Sequence, residues 1–149
     1  MEDAFGATAV GVASYAAATV AFLALTILLA VSWRGRAQGV RLIGASAMTA
    51  LWAALLTLQA WRDGFPAIVV YTLEVLRGGA WIFALLALAH GVLPRYLAIA
   101  AHTVWVVLAI VGWVFAAHAG RLLAPAGIAL ALAVLVLIEQ IYRNANASG

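Results

Sequence analysis

The sequence predicts an all-α fold, a polytopic membrane bundle of five transmembrane helices. The chain of 149 residues is 68% hydrophobic and only 9% charged, and its mean hydropathy is +1.13. It contains five apolar stretches of roughly 20 residues, the length of helix that crosses a bilayer. A chain this short has no room for a separate soluble domain of ordinary size. We therefore expect residues 1–143 to form one membrane domain.

The first two predicted spans cover residues 9–33 and 40–61. The chain starts with the acidic residues Glu2 and Asp3, whereas a cleaved signal peptide starts with basic residues. We therefore expect the first span to remain as a helix. The connection between the two spans is short, which makes consecutive helices antiparallel neighbours.

The remaining three predicted spans cover residues 66–90, 96–117 and 122–142, followed by a polar tail or linker at 144–149. Each of these spans has a proline at or near its start, where the missing N–H does little harm to a helix. These prolines are Pro66, Pro94 and Pro125. Their positions support three separate helices joined by short connections.

The arginines predict the orientation of the bundle. Five of them fall on one side of the predicted membrane, and two fall on the other. The five are Arg34, Arg36, Arg41, Arg95 and Arg143, and the two are Arg62 and Arg121. Cytoplasmic loops carry the excess of basic residues in membrane proteins. The N-terminus is therefore predicted to lie outside and the C-terminus in the cytoplasm.

Two charged residues, Glu74 and Arg77, lie in the middle of the third apolar run. A charge near the bilayer centre costs at least ~2.5–3.5 kcal/mol on insertion scales, so such residues usually face a partner or a wet cavity. Side chains three residues apart on a helix are neighbours and can pair. The predicted orientation places Glu74 in the outer half of the membrane and Arg77 nearer the midplane.

The neighbours of this pair suggest an intramembrane sensing or ligand site. Tyr71, Glu74, Gly78, Trp81 and Leu85 recur at helical spacing and form one stripe, with Arg77 at its edge. In this interpretation Tyr71 and Trp81 are the walls of the site. The alternative is a structural ion pair that fixes helix packing and binds no ligand.

Three other residues are secondary candidates. His102 lies in the fourth span and suits a proton relay, a metal ligand, or a neutral histidine bonded within the bundle; without a second ligand at metal spacing, no metal site is predicted. Glu139 and Arg143 are four residues apart near the end of the fifth span. They form either a helix-end salt bridge or a junction that transmits motion beyond the bundle.

Several function classes are excluded by composition and motifs. The chain has no cysteine, which rules out disulfides, thiolate chemistry and cysteine-based metal sites. It contains no His-Glu-x-x-His metalloprotease motif, no Gly-x-Ser-x-Gly hydrolase motif and no phosphate-binding glycine loop. We therefore expect no enzyme and no cofactor. The isoelectric point near 10.0 reflects arginines at membrane edges, so the expected partner is the lipid bilayer and not nucleic acid.

Three segments carry a resemblance to a known family: Leu28–Gly39, with the string Ser-Trp-Arg-Gly-Arg; Leu73–Phe83; and Leu137–Asn144, with the string Glu-Gln-Ile-Tyr-Arg-Asn. In this order they resemble the N-terminal membrane region of the PrsK-type sensor histidine kinases associated with the exosortase/PEP-CTERM system. The resemblance covers most of the chain.

This resemblance implies the sensory input module of a two-component system in a bacterial inner membrane, one that regulates exopolysaccharide and surface-protein genes. The implied partner is a cytoplasmic kinase domain or a response regulator. The chain contains no phosphoacceptor helix and no ATP-binding lid, so it lacks the family's kinase core. The alternatives are a small proton-coupled transporter that uses Glu74 and a non-catalytic membrane scaffold subunit. A homodimer is compatible with each of them.

Overall fold

The protein is all-helical in the computed structural model, which describes residues 2–33, 35, 37–62, 64–89 and 93–147. Arg34 and Arg36, which contribute to the predicted orientation, lie outside the described residues, as do residue 90 at the end of the third predicted span and residues 148–149 of the predicted tail. The five α-helices are α1 (Glu2–Val31), α2 (Ala37–Arg62), α3 (Ala67–Leu88), α4 (Arg95–Val114) and α5 (Ala119–Ala147). A short 3₁₀ turn, Ala116–His118, joins α4 to α5.

All five helices are long and apolar enough to cross a membrane. This confirms the prediction of an all-α chain with five long apolar helices. Large apolar side chains remain exposed along them, among them Val20 on α1, Ile99 on α4 and Leu132 on α5. Exposed apolar area on this scale is unusual for a soluble monomer and suggests a membrane protein.

The central helix is α3, which packs against α2, α4 and α5. Half of its apolar stretch is buried, whereas none of the α1 stretch is, because α1 packs mainly on α2. The core lies between α3, α4 and α5. Its buried members are Tyr71, Val75, Ile82 and Leu85 from α3, Ala101 from α4, and Ala119, Ala126, Leu130 and Leu137 from α5.

Three glycines let these helices approach one another closely. Gly78 lies under the side chain of Leu130, Gly79 under the Trp105 indole, and Gly112 under the Tyr71 ring. A Cβ atom at any of the three would overlap the neighbouring side chain. Large side chains of one helix therefore occupy the space left by glycines on another, as close packing of membrane helices favours.

Several helix ends differ from the predicted spans. α1 begins at Glu2, seven residues before the predicted start at residue 9, and α5 begins at Ala119, not at residue 122. α4 ends at Val114, not at residue 117, because Phe115 leaves the helical conformation with φ −107° and ψ 39°. The apolar run Phe115–Ala117 carries no polar residue that would have indicated this end. α5 continues to Ala147, through the first four residues of the segment predicted as a polar tail or linker.

Candidate functional site

Glu74 and Arg77 form an ion pair near the middle of α3. The Arg77 Nη2 group donates to Glu74 Oε1 across one helical turn. The Glu74 side chain is 7% exposed and the Arg77 side chain 26%. The carboxylate is therefore enclosed by the bundle, while part of the guanidinium remains accessible. Because both charges belong to one turn of one helix, the pair is formed without help from a second helix.

The aromatic ring beside this pair is that of Trp52 on α2. The Arg77 Cζ atom lies 4.3 Å from the Trp52 ring centroid, a separation at which a cation is attracted by the face of the indole. Tyr15 on α1 meets Trp52 edge-on, with ring centroids 6.1 Å apart and planes at 89°. Tyr15, Trp52 and Arg77 thus connect α1, α2 and α3 at one level of the bundle.

A cleft of about 450 Å³ opens beside the ion pair. Four helices contribute to its walls, and apart from the ion pair the lining is apolar or aromatic. Its lining residues are Tyr15 of α1, Trp52 and Leu56 of α2, Val70, Glu74 and Arg77 of α3, and Leu123, Ala124, Gly127 and Ile128 of α5. We call this space the Arg77 cleft. Its volume lies in the range of small-molecule binding sites.

Polar atoms at this level are not all satisfied. Arg77 Nε and Trp52 Nε1 are buried without a hydrogen-bond partner among the described residues. Buried donors of this kind are normally hydrogen-bonded. An acceptor group of a ligand in the Arg77 cleft would supply the missing hydrogen-bond partner.

Gly127 brings α5 against the Glu74 carboxylate. A Cβ atom at position 127 would lie 3.4 Å from Glu74 Oε1, at contact distance from the carboxylate. Four residues earlier on α5, Leu123 lines the same cleft. The ion pair on α3 therefore lies beside the first half of α5.

The structure places the two predicted walls elsewhere. The Tyr71 hydroxyl donates to Leu108 O of α4 at 2.7 Å, and Trp81 Nε1 donates to Thr49 Oγ1 of α2 at 2.9 Å. Neither residue lines the Arg77 cleft. Tyr71 is three positions before Glu74 and is turned from it by about 60° around the helix, toward α4. Trp81 is seven positions after Glu74 on nearly the same face, but it lies about 10 Å further along the helix.

The predicted site did not include the two aromatic residues that line the cleft, Tyr15 and Trp52. A signal for them exists: both lie well inside apolar spans, whereas Trp33 and Trp61 lie at span ends. Tyrosine and tryptophan carry polar groups that seek partners when buried. Their position in the middle of a span thus indicated an interior polar contact.

The secondary candidates are not part of this site. His102 Nδ1 lies 2.7 Å from Ala98 O, and because a carbonyl only accepts, Nδ1 carries the proton in this contact. Among the described residues no cluster of three metal-ligating side chains exists. Arg143 Nε lies 3.7 Å from Glu139 Oε1, and both side chains are more than half exposed. An exposed pair of this kind contributes little to stability.

No protein-family model matches the chain, and neither a search of curated proteins nor a search of solved structures finds a match. The resemblance to the PrsK-type sensor kinases therefore stays a prediction from the sequence.

Proposed function

We propose that this chain is a membrane-embedded sensory input module, in which the Arg77 cleft receives the signal. One observation carries the proposal: a buried ion pair in the middle of an apolar helix opens onto a cleft instead of being sealed by packing. Charged groups at such a depth usually mark functional sites. A purely structural pair would need no cleft beside it.

In this proposal the five helices span a bacterial inner membrane with the N-terminus outside. The arginine distribution supports that orientation. Arg41 and Arg95, at the starts of α2 and α4, line a common pocket, as expected of residues at one membrane face. Glu74 then lies in the outer half of the bilayer, and Arg77 nearer its midplane.

The transmitting element in the proposed mechanism is α5. It lines the Arg77 cleft at Gly127, beside Glu74, and packs on Gly78 of α3 through Leu130. From Gly127 to Glu139 the helix advances about 18 Å toward the C-terminal end. A ligand that competes with Glu74 for Arg77 would alter the packing of α3 against α5 and thereby move the end of α5. Glu139 and Arg143 would report that motion to a cytoplasmic partner.

The proposed partner follows from the sequence resemblance: a cytoplasmic kinase domain or a response regulator of a two-component system that controls exopolysaccharide and surface-protein genes. The chain itself lacks a kinase core. Its output would therefore depend on a second protein or on a longer parent chain.

The test is complementation of a deletion strain with the Glu74→Gln/Arg77→Gln variant, measuring exopolysaccharide output and the transcript levels that depend on the gene. We expect the variant to lose the signal-dependent change, since the Arg77 cleft then contains no charge. A second variant, Glu139→Gln/Arg143→Gln, neutralises the exposed pair on α5 and should also lose the response, because that pair would transmit the motion. The matched control is Arg62→Gln/Arg121→Gln, which replaces two exposed arginines that do not line the cleft and should respond like wild type.

Two outcomes would contradict the proposal. Unchanged signal-dependent output in the Glu74→Gln/Arg77→Gln variant, with normal amounts of folded protein, would remove the site assignment. A pH-driven flux in proteoliposomes that disappears in Glu74→Gln would favour the proton-coupled transporter instead.

A further inference from the structure

A second pocket lies at the opposite end of α3 from the Arg77 cleft. It measures about 550 Å³ and is formed by α2, α3, α4 and the segment before α4. Its lining residues are Arg41, Phe83, Leu86, Ala87, Ala89, Leu93, Arg95, Ala98 and His102. We call it the basic pocket. Two arginines and a histidine share it with six apolar residues.

The two arginines have no carboxylate partner. Among the described residues the ion pairs are Arg77–Glu74 and Arg143–Glu139, so neither Arg41 nor Arg95 belongs to one. Among the described residues, no acidic side chain lines the basic pocket. Arg41 and Arg95 are both exposed and bring a net positive charge to a concave surface. An anion is the complementary occupant.

The depth of the pocket distinguishes a lipid from a small anion. Arg95 is the first residue of α4, and His102 lies about 10 Å further along that helix. Between these levels the wall is apolar, with Leu86 partly buried and Phe83 exposed. The His102 ring meets the Phe83 ring at 5.0 Å. A ligand that fills the pocket therefore needs a charged head at the arginines and a hydrocarbon portion beside Phe83.

We propose that the basic pocket binds an anionic phospholipid of the surrounding bilayer. The phosphate would lie between Arg41 and Arg95, and the acyl chains would run along Leu86 and Phe83. His102, about 10 Å deeper than Arg95 and in contact with the Phe83 ring, would then lie beside the acyl chains and not at the phosphate. Basic pockets between membrane helices are a general form of anionic-lipid site.

The test is lipid binding to the full chain in nanodiscs of phosphatidylcholine, titrated with phosphatidylglycerol and followed by native mass spectrometry. We expect wild-type protein to retain phosphatidylglycerol selectively. The Arg41→Gln/Arg95→Gln variant should bind it about thirtyfold more weakly. The Arg41→Lys/Arg95→Lys variant should keep most of the affinity because the charges remain.

The matched control is Arg62→Gln/Arg121→Gln, which removes two exposed arginines from the other end of the bundle and changes the net charge equally. It is expected to bind phosphatidylglycerol like wild type. Equal binding of phosphatidylcholine and phosphatidylglycerol by wild type would contradict the proposed site. An equal loss of phosphatidylglycerol affinity in the control variant would contradict it as well. Displacement by glycerol phosphate at equal concentration would overturn the lipid assignment, because that probe lacks acyl chains.

Discussion

Replacing Arg77 with leucine is expected to lower the free energy of unfolding by about 3–5 kcal/mol, because it leaves a buried carboxylate without its partner. The Glu74 side chain is 7% exposed. The carboxylate would therefore stay largely buried without the guanidinium that compensates its charge. The measurement is reversible unfolding in detergent micelles, followed by far-UV circular dichroism.

The double variant Glu74→Gln/Arg77→Leu should recover most of that loss, since no charge is left buried. The matched control is Arg143→Leu, which breaks an ion pair whose side chains are 69% and 61% exposed. Its expected effect is below about 1 kcal/mol. Equal stability of wild type and Arg77→Leu would show that the pair does not hold α3 in the bundle.

The second large effect is expected at Gly112. An alanine there should lower the unfolding free energy by about 1–3 kcal/mol, because the added methyl group overlaps the buried Tyr71 ring. The Tyr71 ring is 1% exposed, and its hydroxyl is fixed to Leu108 O. To admit the methyl group, α3 and α4 must separate or Tyr71 must leave its hydrogen bond. The same unfolding assay measures the loss.

The control for this substitution is Gly44→Ala on α2, where an added Cβ atom meets nothing within 4 Å. We expect it to be neutral or to stabilise the protein by about 0.5–1 kcal/mol, as alanine does in a helix interior. If Gly112→Ala behaves like Gly44→Ala, then the contact between α3 and α4 at Tyr71 is not close-packed.

Stability measurements by themselves do not separate the two roles of the Glu74–Arg77 pair. A structural pair and a sensing pair both destabilise the protein when one charge is removed. Only a sensing pair changes the output when both charges are replaced in a protein that still folds. The neutral double variants therefore decide between a structural and a functional role for the pair.

Local spacing predicted one half of the candidate site. Glu74 and Arg77 are three residues apart, and that separation on a helix is sufficient for them to pair. The predicted walls, Tyr71 and Trp81, contact α4 and α2 instead. The two aromatic residues that line the cleft, Tyr15 and Trp52, are far from the pair in sequence. The spacing of residues along α3 does not indicate which residues of α1 and α2 pack beside it.

By itself, the sequence determined the helical class, the five long apolar segments and the pairing of the two charges. Each of these depends on composition or on contacts within one helix turn, so each can be recognised along the chain. The tertiary structure alone decided that the pair opens onto a cleft, that Trp52 stacks on Arg77, and that Arg41 and Arg95 share a pocket. Those features depend on how apolar helices rotate and pack against one another. In a chain this rich in alanine and leucine, many faces are almost equally apolar, so packing selects among them through glycine positions and side-chain shape.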